Sequence, residues 1–275
     1  MLIAVAADKG APGVSTTALA LALSWPRPVL LAECDAAGAD LPWRLAGHDG
    51  RPLAQGLGLM SLATASRGVP AGARQVWDHV QHLDGGLPVL VGPPGPEQAA
   101  AMGGTWSGVA GLLAGVAGTD VIADCGRTLT TSSLVGPVLQ HADVVVLVTR
   151  PTVAGVAHLR HGITTLAQVV NRGRVGESGL ARVVVLVVDD PATPGSRKAN
   201  GRQVDGVLKT TPGLHDVPVL GVIAHDPKAA AVLVGAAGAD PRKLARSALL
   251  GSAAAAATAL LQHVEQLAGT GQVRA

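Results

Sequence analysis

Phenylalanine and tyrosine are absent from this chain, and tryptophan occurs only four times in 275 residues. A core without phenyl rings must be filled by Val, Leu, Ile and Ala, which suits parallel strands buried on both faces. The same lack argues against RNA- and single-strand-binding modules that stack bases on aromatic rings. Cysteine is nearly absent too. Cys34 and Cys125 make no disulfide framework, and without C-x-x-C spacing they read as small buried hydrophobes. The nine histidines form no H-x-x-x-H or H-E-x-x-H pattern, which argues against a zinc enzyme. No G-x-S-x-G elbow is present to support a hydrolase triad. Gly, Pro, Asp or His interrupts every apolar stretch before about 18 residues, so no membrane-spanning helix is predicted. No basic segment precedes the first apolar run, which therefore reads as a strand rather than a signal peptide, and the expected location is cytoplasmic. Neither sign of charge is in large excess: the formal net charge is +2, too weak to point to nucleic acid by itself.

What is present is 48% hydrophobic residues in short runs that alternate with helical patterns. Strands are predicted over 2–7, 29–34, 87–91, 120–125, 143–149, 182–188 and 217–224. Helices are predicted over 15–24, 57–66, 96–116, 132–141, 153–170, 204–210, 227–234 and 244–267. This alternation implies an α/β fold, one domain over 1–275 with a mostly parallel twisted sheet of about 7–8 strands and helices on both faces. The Pro- and Gly-containing stretch 190–201 is expected to be a flexible insertion. Ligands on such sheets bind at the carboxyl ends of the strands, which directs attention to the loops after Ala7, Cys34, Cys125, Thr149 and Val188.

The first of these loops carries the strongest pattern. Lys9-Gly10-Ala11-Pro12-Gly13-Val14-Ser15-Thr16-Thr17 links an apolar strand to an Ala/Leu-rich helix. Glycines at 10 and 13 permit close backbone approach, and the N–H groups at the helix start favour an anion. A phosphate-binding loop G-x-x-x-x-G-K-[ST] would place lysine where Val14 stands.

The segment from Lys9 to Thr16 resembles the deviant Walker A motif K-G-G-x-G-K-[ST]-T of the MinD/ParA ATPase family. Asp35, after Val29-Leu30-Leu31-Ala32-Glu33-Cys34, is similar to the family's second motif. Asp124, in Asp120-Val121-Ile122-Ala123-Asp124-Cys125-Gly126, resembles its Walker B aspartate. Gly86 to Pro93, Ala142 to Thr152 with Arg160 on the next helix, and Pro218 to Asp226 look like later family segments, so the likeness runs in order from residue 1 to about 262.

The resemblance implies a P-loop fold that binds ATP or ADP with Mg2+. It implies catalytic roles for Lys9, reaching across a homodimer, and Asp35, orienting a water. It implies nucleotide contacts from Gly10, Ala11, Pro12, Gly13, Val14, Ser15, Thr16 and Asp189, and metal contacts from Ser15 and Asp124. The sequence departs from the pattern at Ala11 and Pro12, at Val14 and at Asp189, where the family has an asparagine that reads adenine. A carboxylate accepts from the adenine amino group but donates nothing to a ring nitrogen. The implied function is a nucleotide-dependent dimer switch in spatial positioning, chromosome partitioning or secretion/pilus assembly, with weak hydrolysis. The alternative is a non-hydrolysing scaffold that binds cargo or assembly proteins. Arg172, Arg174, Arg182, Arg197, Lys198 and Arg202 form one basic stretch, and Arg242, Lys243 and Arg246 another. They are candidates for nonspecific DNA contact, or for an ordinary solvated face. The tail around Gln262 to Gly269 lacks the basic and bulky apolar residues of a membrane anchor.

Overall fold

Eight strands form one sheet in the order β3-β4-β2-β5-β1-β6-β7-β8. The structure is a computed structural model that describes residues 1–9, 13–67, 72–127, 133–170, 179–235 and 241–269. The strands are β1 Leu2–Ala7, β2 Val29–Glu33, β3 Gln81–His82, β4 Pro88–Leu90, β5 Asp120–Arg127, β6 Val144–Thr149, β7 Val183–Val188 and β8 Val219–Ile223. All neighbours pair parallel except β3 and β4, whose antiparallel pair closes one edge. β1, β2 and β6 are buried along their whole lengths, as expected of Val/Leu/Ile runs covered on both faces.

The helices are α1 Val14–Leu23, α2 Leu41–Arg44, α3 Leu59–Ala65, α4 Pro96–Met102, α5 Thr105–Ala114, α6 Gly136–His141, α7 Val153–Val170, α8 Arg197–Thr210, α9 Pro227–Leu233 and α10 Ala248–Gly269. One face of the sheet packs on α1, α9 and α10 through Ile3, Val5, Leu19, Leu21, Val146, Leu186, Ala253 and Leu260. The other packs on α3 to α8 through Leu2, Leu30, Leu59, Trp106, Leu139, Ile163, Val185 and Val204. Of the four tryptophans, Trp106 and Trp25 are buried and spend their indole N–H groups on Ala99 O at 3.0 Å and Asp120 Oδ2 at 2.9 Å. Trp43 and Trp77 lie at the surface. Cys34 and Cys125 are fully buried in the layer under α3 to α8, and burial pushes both thiols well above their usual range.

Two expectations need correction. The helix expected over 96–116 is two helices, because the chain turns at Gly103, where φ is +46°. The stretch 190–201 is not wholly a loop: Ser196 caps a helix by accepting from Ala199 N at 3.3 Å, and α8 begins at Arg197. No helix among the described residues is long and apolar enough to cross a membrane.

Strand order turns around at β1, with β2 to β5 on one side of it and β6 to β8 on the other. Ligands on open α/β sheets sit at such a switch point, beyond the carboxyl ends of the strands. Asp8, Asp35 and Asp124 all stand at that end.

Candidate functional site

The chain leaves β1 at Ala7 and continues through Asp8 and the exposed Lys9; Gly10, Ala11 and Pro12 lie outside the described part. Gly13 adopts a left-handed conformation, φ 78°, immediately before α1. No side chain caps this helix. Its first-turn N–H groups therefore remain donors at the carboxyl edge of the sheet, beside Ser15 and Thr16, which are half-buried. Val14 is 4% exposed and belongs to the apolar layer under α1. The position that resembles the loop lysine thus carries an aliphatic side chain engaged in packing.

Three carboxylates converge next to this turn. Asp124 is buried, lines one hollow with Ser15, and accepts Gly126 N–H at 3.1 Å. Burial pushes its carboxyl up to about 7, helped by Asp35 and Glu33 and opposed by the Ser15 hydroxyl and the Gly126 hydrogen bond. Glu33 stands beside Asp124 in the β2–β5 register. Its Oε1 accepts Asp40 N at 2.6 Å and Leu41 N at 2.9 Å, and its Oε2 accepts Gly92 N at 3.1 Å. Burial raises Glu33 as well, against the pull of those three N–H groups. Asp35 accepts Ala37 N at 2.8 Å and is raised by partial burial, with Arg127 opposing the shift.

A buried carboxyl raised by burial stands here beside a hydroxyl and two further acids, with Arg44 on the same hollow and Arg127 near Asp35. A hard cation suits that donor set, and magnesium commonly takes one or two protein oxygens together with phosphate and water. Ser15, Thr16, Glu33 and Asp124, together with Asp40, Arg44 and apolar side chains including Leu19 and Leu31, line a hollow of about 10 Å³, the scale of one water. The larger groove, about 740 Å³ between α8 and β8, shares no residue with this site.

The remaining expected residues are placed as follows. Lys9 stands at the loop entrance. Asp189 follows β7 as expected, but its carboxylate is engaged: Asn200 Nδ2 donates to Oδ1 at 3.2 Å and Arg197 Nε lies 3.7 Å from Oδ2. Arg182 does not belong to a basic surface, because it is buried at 3% exposure and donates to Ala142 O at 2.6 Å. Arg172 and Arg174 lie outside the described residues. Glu33 and Arg127 were not singled out as site residues by sequence reasoning. For Glu33 the available signal was a lone acid ending an apolar run; for Arg127 it was a cation directly after Asp-x-Gly.

No protein-family model and no curated protein matches the sequence. Solved structures do match. A ParA family ATPase from Chlorobium tepidum superposes with a TM-score of 0.65 at 17% identity, over 94% of this chain and 98% of that one. The chain has the MinD/ParA fold. The septum site-determining protein MinD of Pyrococcus horikoshii, complexed with Mg-ADP, gives 0.64 at 16% identity over 100% of this chain and 99% of that one. Apo McdA from Cyanthece gives 0.63 at 14% identity, covering 94% and 98%. In this sheet Ser15 at the start of α1, Asp35 after β2 and Asp124 within β5 lie close together.

Proposed function

We propose that this chain is a nucleotide-binding switch of the MinD/ParA type, taking ATP or ADP with Mg2+ at the turn between β1 and α1 and acting in the cytoplasm as a homodimer on a cargo or assembly protein. The observation that carries the reading is that Ser15 and the buried Asp124 line one hollow with Glu33, close to Asp35, at the switch point of the sheet. The pair offers two oxygens to Mg2+, which when bound would offset phosphate charge. The N–H groups of Gly13 and the first turn of α1 would orient the phosphates. Asp35, at the end of β2, would accept a hydrogen bond from an incoming water.

Hydrolysis is expected to be slow. Phosphoryl transfer depends on cations placed around the phosphates, and Val14 supplies none. The burial of Val14 in the apolar layer also favours the second reading, a scaffold that binds nucleotide and partners without turnover. Binding and turnover of ATP by the native protein, Asp35→Ala and Val14→Lys separate the two. An active switch loses its turnover in Asp35→Ala; a scaffold binds ATP, turns over none, and gains activity in Val14→Lys. Lys9→Ala is expected to weaken nucleotide-dependent self-association. Unchanged association and affinity in that variant would remove the cross-dimer role of Lys9. Nonspecific DNA contact is a weaker proposal and rests on the exposed Arg202, Arg242 and Lys243.

A further inference from the structure

The charge missing at Val14 has a substitute on a neighbouring strand. β1 and β5 run in parallel register from Leu2↔Val121 to Val5↔Asp124, and the next pairing is Ala7↔Arg127. Two steps along β1 thus match three along β5. The extra residue is accommodated at Gly126, whose φ is +61°. A bulge of this kind reverses the alternation of side chains beyond it and is a common device for re-aiming a residue at a site. Without it Arg127 would continue the row of Val121, Ala123 and Cys125, which lies in the layer beneath α3 to α8. With it Arg127 stands beside Ala7, whose side chain belongs to the α1 layer together with Val14.

Arg127 is the only exposed residue of β5. Among the described residues its side chain makes no hydrogen bond or ion pair, and its field is felt by Asp35. Ala7 is the last residue of β1, so Arg127 flanks the point where the chain turns into the phosphate loop.

We infer that Arg127 is the phosphate-binding cation of this site and takes over from its own subunit the charge that Val14 does not carry. The inference rests on the nucleotide reading above. A guanidinium suits the task, since its planar fork donates to two phosphate oxygens at once. The assignment leaves Lys9 free to serve a second subunit. It also gives the bulge a purpose that strand pairing alone does not.

The test is equilibrium binding of ATP and ADP, with Mg2+ at fixed ionic strength, to native protein, Arg127→Ala and Arg127→Lys. Thermal unfolding serves as the control for folding. Arg127→Ala is expected to weaken ATP at least tenfold and ADP less, with an unchanged unfolding midpoint, and Arg127→Lys to recover most of the loss. Native-like ATP affinity in Arg127→Ala, or equal losses for ATP and ADP, would overturn the inference and leave the nucleotide site standing. Native protein that binds neither nucleotide at millimolar concentration would overturn both.

Discussion

The carboxylate of Asp35 lies directly over Gly126, in the space a Cβ on that glycine would need. The end of β2 and the bulge of β5 are therefore fitted to one another. Gly126 is required twice: for its left-handed backbone, and for the room it leaves Asp35.

Gly126→Ala should show both requirements. The left-handed backbone costs a residue with a Cβ about 1–2 kcal/mol, and displacing Asp35 adds to that. We expect a loss of about 2 kcal/mol or more by denaturant unfolding. Gly50→Ala, also left-handed but with nothing within 4 Å of its Cβ, should cost only the backbone share. Equal losses in the two variants would show that Asp35 does not press on Gly126.

Glu33 ties three segments together, because its carboxylate accepts N–H groups from Asp40, Leu41 and Gly92. Glu33→Ala leaves three amides without an acceptor, at roughly 1–3 kcal/mol for each unsatisfied group, and should destabilise the fold by about 3 kcal/mol or more. Glu33→Gln keeps the shape and one accepting oxygen but sets an NH2 group against the N–H groups on the other side, so a smaller loss is expected. Calorimetric midpoints of the two variants, ranked Ala below Gln below native, are the check.

Asp124 sets the pH dependence. Its folded value, about 7, lies above the ordinary aspartate value near 3.9. Between those limits the folded chain binds more protons than the unfolded chain, so stability falls as pH rises from about 4 to about 7 and is level above that. Glu33 and Asp35, raised in the same direction, add to the slope. Asp124→Asn mimics the neutral acid. Without Mg2+ or nucleotide, its melting temperature should exceed the native one at pH 8 and match it near pH 4. A native protein whose stability rises between pH 4 and pH 7 while Asp124→Asn shows no such rise would contradict this assignment.

Much of the fold was legible because burial on both faces leaves a plain signature. Each of the seven predicted strands appears in the sheet, and β1 and α7 have the predicted limits. The eighth strand, β3, was hidden because it is two residues long, partly exposed at an edge, and contains no apolar run. At the site, Asp35 and Asp124 could be read because they follow apolar runs in sequence. Glu33 and Arg127 could not. Their importance arises from contacts across the sheet: the amides of Asp40, Leu41 and Gly92 around Glu33, and the one-residue shift of β5 against β1. For the same reason Asp189 was foreseen in place but not in its pairing with Asn200.

The central claim is that Ser15 and Asp124 form the magnesium corner of a nucleotide site. Titration of the native protein with ATP by calorimetry, with and without Mg2+, tests it most directly when repeated on Asp124→Asn. The account predicts saturable binding that Mg2+ strengthens at least tenfold in the native protein and does not strengthen in Asp124→Asn. Equal Mg2+ dependence in both proteins, or no ATP binding by the native chain at millimolar concentration, would contradict it.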